Sequence, residues 1–278
     1  MKPVLKSTLA LSAAAALAMF TVACGDKKAD EATTTAAAVE TTVASATTAK
    51  APAHWTYEGE EGPSHWGELD PAYALCADGS AQTPIDVTGA TGVDLPNPVI
   101  SYSAGDAVAI NNGHTIQLKS ADGNTIAVDG KSAPLKQIHF HTPSEHTVNG
   151  KTFPAEVHFV HITEAGEITV LGVMISEGAS DNAAWAPYVA SLGTVKGTDG
   201  AAKVDWAAML PSNLATYRYA GSLTTPPCTE GVNWLLLETP VELSAAQIQA
   251  FEKAYTGNAR PVQPLNGRTV QEDTSSDK

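Results

Sequence analysis

The run Gln137-Ile138-His139-Phe140-His141, followed by Ser144-Glu145-His146 and then by Ala155-Glu156-Val157-His158-Phe159-Val160, decides the fold class and the chemistry together. Two histidines two positions apart in an apolar, β-prone run point to the same face of a strand. His158 sits in a second such run, so two neighbouring strands can bring His139, His141 and His158 to one point. Phe140, Val157 and Phe159 then face the opposite, core side. Three neutral imidazoles with a fourth position open are the ligand set of a catalytic zinc rather than a structural one. A lone strand histidine is ordinarily a satisfied core residue; the set is what changes the reading. Ligating imidazoles donate their other N–H to an amide, carboxylate or carbonyl, which fixes the tautomer. Gln137 shares a strand face with His139, and Glu156 with His158. An acid on the inner face of an apolar strand is otherwise costly to bury, so the competing reading is that Glu156 faces solvent.

Outward from these two strands the chain continues in short apolar or alternating runs: Val108-Ile110, Thr115-Lys119, Thr125-Val128, Ile168-Ile175, Tyr217-Gly221 and Val232-Leu237. Asn112-Gly113, Asp122-Gly123, Asp129-Gly130, Asn149-Gly150 and Ala165-Gly166 separate them as turn signals. The spacing predicts hairpins of a mostly antiparallel sheet. Helices are few. Asn182–Ala190 is one candidate, and Ser244–Tyr255 is the clearer one, with Ser244 as N-cap, Ile248, Phe251 and Tyr255 on its apolar face, and Gly257 ending it. The fold class is mainly β (α+β): one domain over residues 53–272 with peripheral helices and a short tail over 273–278.

The 278 residues carry a net charge of -14 and 43% hydrophobic residues, which suits a globular core and opposes a nucleic-acid partner, since no Lys/Arg cluster appears. Lys2 and Lys6 precede an apolar stretch from Leu9 to Phe20, shorter than the roughly 20 residues a bilayer span needs. This is the pattern of a signal peptide over residues 1–23. Thr21-Val22-Ala23-Cys24 resembles the lipobox of bacterial lipoproteins, in which the cysteine is lipidated; ordinary cleavage giving a soluble exported protein is the alternative. Residues 24–52, rich in Ala and Thr without aromatic residues, read as a disordered tether. If Cys24 carries lipid, Cys76 and Cys228 remain as a pair for an oxidising compartment. The expected location is a bacterial membrane surface facing the periplasm or exterior, reached by the lipid anchor alone.

Several stretches in order identify the chain as similar to the α-class carbonic anhydrases, from His54-Trp55 to Asn258-Ala259-Arg260-Pro261. They include Gly79-Ser80-Ala81-Gln82-Thr83-Pro84-Ile85-Asp86, Asn111-Asn112-Gly113-His114, the two histidine runs, Ser144-Glu145-His146-Thr147-Val148 and Gly221-Ser222-Leu223-Thr224-Thr225-Pro226-Pro227. The resemblance implies a large twisted sheet with Zn2+ on His139, His141 and His158, oriented in part by Gln137 and Glu156. It implies reversible hydration of carbon dioxide to bicarbonate and a proton by zinc-bound hydroxide. Thr224 would accept the hydroxide's hydrogen and donate to an ionised Glu145, Val160, Val170, Leu223 and Trp234 would wall the substrate beside Thr224 and Thr225, and His114 would shuttle the proton. Tyr57, Asn112 and Gln117 would line the water path. Read from the residues alone, Glu145 could instead be a structural ion pair, His114 a plain turn histidine, and the wall residues plain core. His146 and His161 match positions the family uses for internal hydrogen bonds. His54 and His65 lie with Trp55, Tyr57 and Trp66 in a segment expected to pack as a lid-like cluster. The rival functions are a non-catalytic zinc-binding surface lipoprotein and a zinc esterase.

Overall fold

In the computed structural model, which describes residues 51–121, 123–193 and 200–274, the two histidine-bearing runs are adjacent antiparallel strands. Their register sets His139 opposite His158 and His141 opposite Glu156. They lie at the centre of a 13-stranded sheet. Its principal strands are β1 (Thr91–Val93), β2 (Ala104–Asn111), β3 (Ile116–Ser120), β4 (Lys131–His141), β5 (Ala155–Ile162), β6 (Ile168–Gly178), β7 (Gly200–Asp205), β8 (Thr216–Ser222), β9 (Glu230–Leu237) and β10 (Gln271–Asp273). Across the sheet they run β7-β2-β3-β4-β5-β6-β9-β8-β10-β1. Along this path β6 meets β9, and β10 meets β1, in parallel; the other neighbours are antiparallel.

The side-chain period of two sorts these central strands into two layers. Phe140, Val157, Phe159, Leu171 and Leu235 point into the larger core, closed by helices α1 (Ala186–Leu192) and α2 (Ala245–Ala254) through Trp185, Tyr188, Ile248 and Phe251. Burial of each such side chain contributes about 1.5–3 kcal/mol. Val160, Val170, Trp234 and Leu236 point to the other face, with Tyr219. β5 is therefore buried on both faces, so that Glu156, His158 and His161 are buried along with its apolar residues.

Local signals set the ends of the helices less regularly than expected. α2 starts as predicted, with Ser244 accepting from the Gln247 N–H and Gln247 reciprocating in a capping box. It ends at Ala254 because Tyr255 turns extended; Gly257 is not its terminator and instead donates its N–H to the Thr142 carbonyl at 2.7 Å. α1 begins four residues later than Asn182, whose side chain accepts from the Ala184 N–H in the preceding turn. β10 carries the domain through Asp273, which is buried, one residue past the end expected at 272. The edge strands β1 and β7 were not among the predicted runs, being short and largely exposed. The signal segment, Cys24, most of the tether, Asp122 and the tail beyond 274 lie outside the described residues.

Cys76 and Cys228 are joined, with Cα atoms 5.1 Å apart across 152 residues. The bridge packs with buried Trp66 and Tyr73 in a small N-terminal cluster that also holds Trp55 and Tyr57.

Candidate metal centre

Because β4 and β5 are paired in register, His139, His141 and His158 project from one face, and one ring nitrogen from each lies within 4.8 Å of the others. The second nitrogen of each ring is engaged. His139 Nδ1 donates to Gln137 Oε1 at 2.9 Å, His141 Nδ1 to the Asn258 carbonyl at 2.6 Å, and His158 Nε2 to Glu156 Oε1 at 2.8 Å. All three partners are acceptors, so the N–H sits on the outer nitrogen and the lone pair faces inward. Burial holds every one of these imidazoles below the usual histidine pKa, His141 at about 4, so they are neutral near pH 7. His141 Nε2 is buried with no hydrogen-bond partner. An orphaned lone pair in that position, beside two others, fits a divalent cation and nothing else the surrounding residues supply.

Glu156 is buried rather than solvent-facing, and it is fully satisfied. Its Oε2 accepts from the backbone N–H groups of Glu145 and His146 at 2.9 and 2.8 Å, and its Oε1 accepts from His158 and from His146 Nδ1 at 2.7 Å. Burial alone would raise its pKa; His146 and His158 outweigh that and hold it well below the carboxylate range. His146 Nε2 in turn accepts from the Tyr219 hydroxyl at 2.5 Å. This chain of bonds occupies the space among His146, Glu156 and His158, so these three cannot double as a second cation site. Gly221 makes room for the chain: a Cβ there would stand 2.2 Å from Thr83 Oγ1 and 2.7 Å from Trp234 Cδ1.

Glu145 is buried beside the imidazoles. Its Oε1 accepts the Arg260 backbone N–H at 2.8 Å. Burial lifts its pKa to about 7, against the lowering influence of His158, the Arg260 N–H and the Thr224 hydroxyl. Thr224 reaches toward Glu145 and favours its ionised form, although Glu145 Oε2 has no partner of regular hydrogen-bond geometry.

Above the histidines opens a cavity of about 160 Å³ with two unlike sides. Val160, Val170, Leu223 and Trp234 line one, with Thr224 and Thr225 at their edge; Tyr57, Asn112, His114, Thr115 and Gln117 line the other. Burial, with a smaller contribution from Glu145, holds the Tyr57 phenol un-ionised. The Asn112 side chain also builds the turn that carries His114: its Oδ1 accepts from the His114 and Thr115 N–H groups, each at 2.9 Å. Gly113 takes a φ of 90° there, a value that favours glycine. The His114 ring stacks on Trp55 with centroids 3.6 Å apart and planes 7° from parallel. Its pKa is lowered, first by partial burial and then by His54.

Sequence reasoning found this donor set and its two side-chain orienters, and missed the third. Asn258 was quoted only as part of a matching stretch, yet it ties the site together: its carbonyl holds His141, its Oδ1 takes the Thr142 N–H, and its Nδ2 donates to the His114 and Phe140 carbonyls.

The comparisons with known proteins agree with this geometry. The family model described as eukaryotic-type carbonic anhydrase matches residues 61–274. A carbonic anhydrase of Pectobacterium carotovorum is 42% identical over 221 residues, covering 78% of this chain and 90% of that protein. The α-carbonic anhydrase of Thermovibrio ammonificans, solved with the inhibitor sulfanilamide, is 44% identical with a TM-score of 0.73, covering 79% of this chain and 99% of that one. Dioscorin, solved with ascorbate, shares the fold at 28% identity and a TM-score of 0.75, covering 81% of this chain and 100% of that one. With the family model spanning most of the described residues, the three converging imidazoles set in a half-apolar cavity place this chain in the α-class, or eukaryotic-type, carbonic anhydrase family.

Proposed function

We propose that the chain is a zinc enzyme that reversibly hydrates carbon dioxide to bicarbonate and a proton, with His114 carrying the proton out. The observation that carries this reading is the convergence of three neutral imidazoles whose outer nitrogens are all hydrogen-bonded. Zinc held by His139, His141 and His158 would supply a Lewis acid that makes water acidic near neutral pH, for which carbonic anhydrase itself is the reference case. The remaining work falls to the chain's own groups. Glu145, when ionised, can only accept, so the Thr224 hydroxyl donates to it and turns its own lone pair toward the attacking oxygen. Val160, Val170, Leu223 and Trp234 offer an uncharged molecule an apolar wall, and Thr225 stands at the wall's polar edge. His114, neutral near pH 7, takes the departing proton along the side lined by Tyr57, Asn112 and Gln117. Every side chain these steps call for is present, which opposes the reading as a non-catalytic zinc-binding protein.

Stopped-flow carbon dioxide hydration with and without chelation tests the reading, run beside ester turnover. His158→Ala should abolish zinc retention and hydration together; full activity in that variant removes the ligand assignment. Ester turnover outpacing hydration under physiological conditions would make the chain an esterase instead.

We further propose that the protein is exported and anchored through lipid on Cys24. The Cys76–Cys228 bridge supports an oxidising compartment and leaves Cys24 as the one cysteine of three outside it. Mass spectrometry of the mature N-terminus should find diacylglycerol on Cys24, and Cys24→Ser should release the protein from membranes.

A further inference from the structure

The ladder between β3 and β4 runs through Lys119–Gln137 and Leu118–Ile138 and stops short of His139. His114, on the turn that leads into β3, is therefore not held at its distance from the metal donors by sheet pairing. The Thr115 hydroxyl ties one side of that turn to β4, donating to the Phe140 carbonyl at 2.8 Å. The segment after α2 holds the other side. Asn258 Nδ2 donates to the His114 carbonyl at 3.1 Å, and the Tyr255 hydroxyl donates to Asn111 Oδ1. That oxygen also accepts the Gly113 N–H at 2.9 Å, so both its lone pairs are filled. The same two residues grip the donor strand. The Tyr255 carbonyl accepts from the hydroxyl of Thr142, which directly follows His141, and the Asn258 carbonyl accepts from His141 Nδ1 at 2.6 Å. The Tyr255 ring also packs on Phe140, the residue between His139 and His141, with centroids 6.5 Å apart. Residues 255–258 thus bridge the His114 turn and the histidine strand twice.

We propose that Tyr255 is a positioning residue for proton release: through Asn111, its hydroxyl holds the His114 turn in place over the three imidazoles. The inference rests on the hydration reading above and deepens it by adding a residue on which the relay depends. Tyr255 and Asn111 are not among the residues that line the cavity, so neither carries the proton itself. Their effect is on the frame of the turn. Gly113, at a φ of 90°, has no side chain to fix its own conformation, and the bond from its N–H to Asn111 selects one. The Tyr255 hydroxyl in turn fixes the Asn111 side chain. Without it that side chain is free to rotate away, and Gly113 loses its partner. Proton transfer needs donor and acceptor held in a set geometry, and small displacements slow it. Thr115 and Asn258 still tether the turn when the hydroxyl is gone, so the loss is partial. Asn258 cannot give so clean a result, because it also holds His141; the Tyr255 hydroxyl acts on the turn alone.

The test compares the zinc-loaded protein with its Tyr255→Phe variant, which keeps the ring on Phe140 and removes only the hydroxyl, in carbon dioxide hydration. In weak buffer kcat should fall roughly threefold, while kcat/KM, which reports steps up to bicarbonate release, stays as it was. Strong imidazole buffer should restore kcat. In a His114→Ala background Tyr255→Phe should add nothing, and combined with Asn111→Ala it should be no slower than Asn111→Ala alone. A readout independent of turnover is amide hydrogen exchange in the metal-free protein: the Gly113 N–H should exchange several-fold faster in Tyr255→Phe than in the unaltered protein. Unchanged weak-buffer kcat, or kcat and kcat/KM falling in proportion, overturns the positioning role and leaves the proposed function standing when the unaltered protein hydrates carbon dioxide. No hydration by the unaltered, zinc-loaded protein overturns both.

Discussion

A carboxyl buried beside three imidazoles, as Glu145 is, titrates against its surroundings. Burial raises its pKa to about 7, so without a cation it is about half protonated at neutral pH. A divalent charge on the neighbouring histidines favours the ionised form. Zinc uptake should therefore expel a proton from Glu145, more completely at pH 6 than at pH 8. Calorimetry in buffers of different ionisation enthalpy reads that release, and Glu145→Gln should remove this pH-dependent component while leaving the rest. Gly221 makes a second residue-scale case, one of space rather than charge. A methyl there meets Thr83 Oγ1 and Trp234 at distances that force both to move. Gly221→Ala should destabilise the fold by about 1–3 kcal/mol, seen as a lower denaturant midpoint.

At the scale of elements, the Cys76–Cys228 bridge fastens the N-terminal cluster to the loop that follows Thr224 and Thr225. Bonds other than the sulfur link also hold that loop: the Cys228 N–H donates to the Thr225 carbonyl at 2.8 Å, and the Cys228 carbonyl accepts from Gln82 Nε2 at 3.0 Å. Cys228→Ser should thus lower stability by about 2–5 kcal/mol on unfolding while the folded fraction takes up added zinc as the unaltered protein does. Metal content measured beside denaturation separates the two effects. The capping box of α2 makes a smaller contribution, and Ser244→Ala should cost about 1 kcal/mol. That cap was legible in the sequence because it is a local pairing of Ser244 with Gln247. The end of the same helix was not legible: Gly257 serves a contact with Thr142, across the chain, that no local pattern encodes.

For the molecule as a whole, the buried histidines fix how it meets acid. His141 and His161 are held by burial at about 4, and His139 and His158 are also lowered. Between pH 6.5 and 4 the unfolded chain binds protons at His141 and His161 that the folded chain does not, and His139 and His158 act in the same sense. Stability is therefore full above pH 6.5 and declines as pH falls toward 4, each fully shifted ring contributing about 1.4 kcal/mol per pH unit. Glu156, held low in the folded protein, adds stability that is likewise lost on acidification. Glu145 acts in the opposite sense between pH 4.5 and 7, since its raised pKa favours the protonated folded form. Four rings and one carboxylate against a single raised carboxyl predict that metal-free protein loses stability from pH 6.5 downward. Urea denaturation across that range checks it; stability flat or rising toward pH 4 would refute the balance.

The sequence by itself determined which three histidines converge, the face each occupies and the side chains Gln137 and Glu156 beside them, because a period of two carries that information along a single strand. It also gave the apolar layer beneath and the start of α2. Tertiary structure alone decided the parallel join of β6 to β9, the Tyr219–His146–Glu156 chain, the Trp55 platform under His114 and the carbonyl that orients His141. That carbonyl comes from Asn258, 117 residues along the chain. Every residue has such a group, so its identity leaves no trace in composition or spacing. Only the path of the folded backbone brings one particular carbonyl to one particular ring.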